Sequence, residues 1–201
     1  MRDDKPFNEQ ELYNLPPVTK DEVQKLPLSM SGKSSPRNFQ PTSLLKECSE
    51  AFVPIITSQA DLTFLEGAFP TSFKMAQVAL LLKKVGLDAN DTSNHRPILN
   101  LNTISKVLER LLLARLISHV SINLCRLQSA DRRYHFTEMA LLRIFNDLFE
   151  AANGKKVTVL VALDLSAAFD VINHSVLLKW LHDTFTISGS ALSWIRSYLH
   201  Q

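Results

Sequence analysis

The chain has 201 residues, 45% of them apolar, and a formal net charge of +2, enough apolar mass for one or two domains with a core. Cys48 and Cys125 are too few for a disulfide framework and lack metal-ligand spacing, so a reducing compartment is expected. The opening MRDDKPFNEQ has no apolar core of a signal peptide and the longest apolar runs fall short of a membrane span, which predicts an intracellular protein of the nucleus or cytoplasm. The net charge conceals a split. Residues 1–24 sum to −3, whereas residues 96–143 hold eight arginines and lysines against Glu109, Asp131 and Glu138, a local +5. Such an excess suits a phosphate-tracking surface and is also common on solvated helices.

Residues 1–18 carry Pro6, Pro16 and Pro17 among polar residues, and Ser31 to Pro41 is rich in Ser, Lys and Pro. Residues 1–40 are therefore expected to be a flexible leader and linker, interrupted by one short helix through Leu26 that Thr19 and Glu22 open as a capping box. A helix or helix pair is expected over Ser43 to Glu66, ended by Gly67 and Pro70. Met75 to Leu82 is compatible with a strand that Lys83, Lys84 and Gly86 close, and a polar loop runs on to Asn94. Asn102 or Thr103 can cap a helix whose apolar face is Ile104, Val107, Leu108, Leu111 and Leu112, with Lys106, Glu109 and Arg110 opposite. A second helix starts near Thr137, its buried stripe formed by Leu141, Leu142, Phe145, Leu148 and Phe149. Ser175 to His182 and Ala191 to His200 are amphipathic enough to be helices.

The most informative stretch lies between these helices: KKVTVLVALDLSAAFDVINHSVLLKWL, Lys155 to Leu181. Seven unbroken residues, Val157 to Leu163, read as a buried strand that delivers Asp164 where it leaves the sheet. Rigid strand ends are common places for metal-binding carboxylates. Spacing alone leaves other readings open: a turn or helix-capping Asp, a phospho-accepting receiver domain, or a phosphatase.

The whole string narrows them. LDLSAAFDVINHSVLLKWL resembles the first catalytic-palm motif of reverse transcriptases from non-long-terminal-repeat (non-LTR, LINE-type) retrotransposons, most like the jockey-related branch. Other segments are similar to further blocks of that family, in its order: PTSLLKECSEAFVPII at 41–56, FPTSFKMAQVALLLKK at 69–84, SNHRPILNLNTISKVLERLLLARL at 93–116, LQSADRRYHFTEMALLRIFNDL at 127–148 and LSWIRSYL at 192–199. The resemblance covers roughly residues 15–201 and implies an α+β fold, a partial right-hand polymerase, helix-rich and with an incomplete palm sheet. In that scheme 41–70 is a helical segment before the fingers, 71–153 a fingers-like region and 154–201 the first half of the palm.

The resemblance implies a fragment of an RNA-directed DNA polymerase acting on an RNA template, a DNA primer and deoxynucleotides with Mg2+. Asp164 and the backbone carbonyl of Leu165 would be metal ligands. Phe169 would select against a ribose 2′-hydroxyl, although plain core packing explains a Phe equally simply. Arg132, with Arg133 as the alternative, would reach the incoming triphosphate. Arg96, extended ahead of Pro97, and Lys83 and Lys84 would touch nucleic acid. Asp170 would serve as a structural helix cap. The family completes its site with a later strand carrying two adjacent Asp residues, and no such pair on a strand occurs in these 201 residues. Asp131, where Tyr is usual, sets a negative charge beside the triphosphate arginine. The expectation is a segment inactive alone, the alternative a non-catalytic remnant or a domesticated nucleic-acid or protein-binding module. With its family partners absent, the Val157–Leu163 strand is expected to lack neighbours and the palm half to pack loosely.

Overall fold

The computed structural model describes residues 10–29, 42–125, 127–165, 168 and 170–200. The chain divides into two units, Met1–Val120 with His174–Gln201, and Ser121–Asn173. The first contains α1 (Lys20–Ser29), α2 (Thr42–Glu47), α3 (Ser49–Glu66), a hairpin of β1 (Ala76–Leu82) and β2 (His95–Leu101), α4 (Thr103–Val120), α6 (His174–Phe185) and α7 (Gly189–Leu199). The second contains α5 (Thr137–Asn153). The fold is therefore helix-rich with a two-stranded antiparallel sheet.

Local signals explain most helix ends. Thr19 and Glu22 form the capping box: the Thr19 N–H donates to Glu22 Oε2 at 2.9 Å and the Glu22 N–H to Thr19 Oγ1 at 3.2 Å. Asn102 Oδ1 accepts from the Ser105 N–H at 2.7 Å and starts α4. At the end of α3, Gly67 turns left-handed with φ +64°, and its N–H donates to the Thr63 carbonyl. A Cβ at Gly67 would also lie 2.9 Å from the Ser190 carbonyl oxygen, so the glycine lets α7 approach α3.

The predicted apolar face of α4 is the buried one: Ile104, Val107, Leu108, Leu111 and Leu112 all enter the core. Trp194 of α7 sits at its centre, fully buried. Phe64 and Phe69 meet its ring edge-on at 6.0 and 5.0 Å, and Tyr198 stacks on it at 5.7 Å. Tyr198 donates its hydroxyl to Glu109 Oε1 at 2.8 Å; burial pushes the phenol well above its ordinary pKa, with Glu109 adding to the rise.

Residues 10–18, expected to belong to a flexible leader, are instead part of this core. Leu15 and Val18 are buried, and Leu12 pairs with Ile187 in a parallel bridge. The Leu12 N–H donates to the Thr186 carbonyl at 3.0 Å, the Ser188 N–H to the Leu12 carbonyl at 3.0 Å, and the Ala191 N–H to the Tyr13 carbonyl at 3.2 Å. Prolines and polar residues here mark an extended clasp whose backbone bonds go to the α6–α7 turn. Residues 1–9 and 30–41 of the expected leader and linker lie outside the described residues.

Arg115 locks the clasp. Its guanidinium donates to the Pro16, Pro17 and Leu111 carbonyls at 2.8, 2.8 and 2.9 Å and to Glu22 Oε2 at 3.2 Å, and it lies 5.3 Å over the Phe64 ring. By sequence Arg115 contributes to the basic excess of residues 96–143; in the fold it is buried and belongs to the core.

β1 confirms the predicted strand, whereas β2 is a finding of the structure. The register pairs Leu82 with His95, Leu81 with Arg96 and Leu80 with Pro97. In a two-stranded ladder each strand keeps an outer edge, where a residue without an N–H is tolerated.

In the Ser121–Asn173 unit, α5 forms as predicted but its apolar stripe is not buried. Leu141, Leu142, Phe145 and Phe149 are exposed and Leu148 is half-buried. The Val157–Leu163 run joins no ladder among the described residues, and Val157 and Leu163 are 95% and 90% exposed. The buried strand read from this run is thus corrected to an exposed segment. Its apolarity is that of a central strand, and such a strand is buried only when neighbours satisfy its backbone.

Candidate active site

Asp164 stands at the end of the exposed run and is itself exposed, with Leu165 beside it. Among the described residues no hydrogen bond or ion pair joins its carboxylate to Arg132 or Arg133. Phe169 lies outside the described residues. Asp170 sits in a turn four positions before His174, the first residue of α6.

Arg132 and Arg133 occupy the turn-rich segment before α5. Asp131 and Tyr134 flank them with left-handed φ of +52° and +62°. Arg132 Nη1 donates to the Cys125 carbonyl at 3.1 Å, which holds one side of its guanidinium. The Arg133 guanidinium lies 4.8 Å over the Tyr134 ring.

Lys83, Lys84 and Arg96 belong to the other unit, at the loop end of the hairpin, and all are exposed. The Lys83 N–H donates to the Asn94 carbonyl at 2.8 Å and extends the ladder by one step. Strand alternation then puts Lys83 and Arg96 on one face. Between them and the tip, Asp91 accepts the Ser93 N–H at 2.9 Å; its hydrogen bonds with Ser93 are the main reason its carboxyl lies below the ordinary range.

Magnesium requires several oxygen ligands in near-octahedral geometry. Among the described residues no three His, Cys, Asp or Glu side chains gather into a group able to hold a metal ion. Asp164 and the Leu165 carbonyl therefore make an incomplete donor set for a metal ion. No helix among the described residues is long and apolar enough to cross a membrane.

Sequence reading did not single out a groove between α6 and α7. Its signal was present in the spacing of Lys179 with Asp183 and of Leu192 with Arg196 and His200.

Residues 82–201 match the family model described as reverse transcriptase (RNA-dependent DNA polymerase). The chain belongs to the reverse transcriptase family. Its relatives place it with the non-LTR elements: over 168 residues it is 31% identical to the RNA-directed DNA polymerase from mobile element jockey of Drosophila melanogaster, covering 80% of this chain and 18% of that protein. The corresponding jockey polymerase of Drosophila funebris is 28% identical, covering 81% and 18%. The probable RNA-directed DNA polymerase from transposon BS of Drosophila melanogaster is 29% identical over 119 residues, 58% of this chain and 13% of that protein. The chain thus spans about a fifth of the length of the jockey polymerases it matches.

Proposed function

We propose that this chain is a segment of a non-LTR RNA-directed DNA polymerase, with a fingers-like region at 71–153 and the first half of a palm at 154–201. The observation that carries the reading is the string LDLSAAFD, with Asp164 at the end of an apolar run, inside the part that matches the family. In this reading Asp164 and the Leu165 carbonyl supply one edge of a magnesium centre, and the remaining carboxylates lie elsewhere in the polymerase. A ring at Phe169 discriminates the sugar, and Arg132 or Arg133 meets the triphosphate of an incoming deoxynucleotide. Lys83, Lys84 and Arg96 lie along the RNA template or the DNA primer. A complete carboxylate set, to which Asp164 and the Leu165 carbonyl would contribute, would hold divalent ions whose charge would favour attack by a 3′-oxygen and departure of pyrophosphate.

The self-contained core of the first unit favours a second reading, a nucleic-acid or protein-binding module without catalysis. Primer extension on an RNA template separates them. The 201-residue polypeptide should give no extension above an Asp164→Ala control with magnesium or manganese. Grafted in place of the matched 168 residues of the Drosophila melanogaster jockey polymerase, it should support extension that Asp164→Ala reduces to background. A grafted polymerase that extends equally well with Asp164→Ala would sink the catalytic assignment.

A further inference from the structure

The α6–α7 hairpin holds an open groove of about 340 Å3 that the polymerase reading leaves unused. One stripe of each helix lines it: Leu178, Lys179, His182 and Asp183 on α6, and Leu192 and Arg196 on α7, with His200 just beyond its end. Asp183 is its single acid, and that carboxylate is already occupied. Lys179 Nζ lies 2.7 Å from it and His182 Nδ1 2.8 Å. Arg196, across the groove, has no acidic partner among the described residues and is exposed. A guanidinium so placed is suited to a phosphate by charge and by its fork of donors. The floor is different in kind: Leu178 is buried and Leu192 half-buried, an apolar surface suited to a sugar or base. The volume lies near the lower end of the roughly 300–1,000 Å3 usual for small-molecule sites, which fits one nucleotide and not a duplex.

We propose that this groove binds one nucleotide of a nucleic-acid strand, with its phosphodiester on Arg196 and the imidazoles of His182 and His200, and its sugar or base over Leu178 and Leu192. Neither Asp164 nor Lys83 or Lys84 is among the residues that line it. Neutralising Arg196 and neutralising Asp183 should act in opposite directions, because Asp183 competes with the phosphate for His182.

The experiment is a fluorescence-anisotropy titration of the 201-residue chain with a labelled oligouridylate at increasing salt. Arg196→Gln should weaken binding several-fold and reduce the slope of log affinity against log salt by about 0.7, one phosphate contact on a single strand. Asp183→Asn should strengthen it several-fold, whereas Asp21→Asn, the same charge change at an exposed position of α1, should have much less effect. Arg196 and Asp183 are exposed, so circular dichroism and melting temperature should stay at wild-type values. A thiouridine-substituted oligomer should crosslink to peptides from residues 174–200. Unchanged affinity in Arg196→Gln, equal strengthening by Asp183→Asn and Asp21→Asn, or crosslinks confined to other peptides would overturn the proposal. The polymerase reading would survive each of these results, since it is decided by Asp164 in primer extension.

Discussion

In the unit built from α1–α4, α6 and α7, apolar side chains from those helices and from the residue 10–18 clasp converge on Trp194 and Phe64. In Ser121–Asn173, side chains no less apolar face water: Leu142, Phe149, Val157 and Leu163 are all exposed. Apolar mass alone does not distinguish these regions. The difference is in how backbone and faces are partnered. Helices satisfy most of their own backbone groups, so α3, α4 and α7 need partners chiefly for their apolar stripes. An extended run such as Val157–Leu163 can satisfy neither its N–H and C=O groups nor its two apolar faces without neighbouring elements.

The largest test of this contrast compares core truncations. Trp194→Ala should cost about 3–5 kcal/mol in urea unfolding, because it empties the centre of the aromatic cluster. Val159→Ala should change stability by no more than about 0.5 kcal/mol, as expected of a side chain already in water. Hydrogen exchange gives the same comparison residue by residue. Amides of α3, α4 and α7 should be protected to near the global unfolding free energy, and those of 157–165 should exchange fastest. Strong protection across 157–165 in a monomer would break the comparison and favour the self-sufficient binding module.

How much of this was legible beforehand follows the same division. Thr19 with Glu22, Asn102 before Ser105, and the stripe from Ile104 to Leu112 are local signals, and each matched the structure. The β2 strand was not legible: HRPILNL carries a proline and no clean alternation, and only pairing with β1 reveals it. The role of Arg115 is legible in its position, because it continues the Leu108–Leu111 face of α4, and not in its charge. The α5 stripe was legible as apolar, but burial is a property of a partner, which no periodicity supplies. Asp164 was legible as chemistry through its surrounding string. Its relation to Arg132 was not, since that depends on contacts between segments remote in sequence.

Arg115 sharpens the comparison next. Arg115→Met should cost about 2 kcal/mol by stranding the Pro16 and Pro17 carbonyls, measured by denaturant midpoint. In the still-folded protein it should leave RNA affinity and its salt slope unchanged. Changing Arg132 and Arg133 together to Ala should leave stability within about 0.5 kcal/mol and lower RNA affinity. A loss of RNA affinity in folded Arg115→Met would return that residue to the phosphate-facing surface.

Two glycines, one in each unit, extend the contrast to the backbone. Gly189 has φ +52°, and a Cβ there would lie 2.6 Å from the Tyr13 carbonyl oxygen, so Gly189→Ala should cost about 1–3 kcal/mol and loosen the clasp. Gly154 has φ −77° and would place a Cβ no closer than 3.4 Å to any neighbour, so Gly154→Ala should be within about 0.5 kcal/mol of neutral. Equal costs at both positions, by thermal unfolding, would mean that the clasp is not a restraint on the α6–α7 turn.

The smallest effect expected is a pH dependence confined to the clasped unit. The Thr19 N–H hydrogen bond is the main influence holding the Glu22 carboxyl below its ordinary pKa; partial burial opposes it, and the Arg115 hydrogen bond and charge add to it. A carboxyl with a lowered folded-state pKa binds its proton less readily folded than unfolded. Its stabilisation is therefore complete above the unfolded value of about 4.3 and disappears as pH falls through the lower folded value. Glu22 is 42% exposed, so solvent screening keeps the contribution modest. Wild type should be more stable than Glu22→Gln at neutral pH, and the two melting curves should converge as the pH is lowered through the carboxylate range. The side-chain amide introduced by Glu22→Gln can still accept the Thr19 N–H, so what converges is the part due to charge, on Arg115 and on the start of α1. A gap between the two proteins that stays constant down to the acid limit would assign Glu22 to capping geometry alone and remove Arg115 as its electrostatic partner.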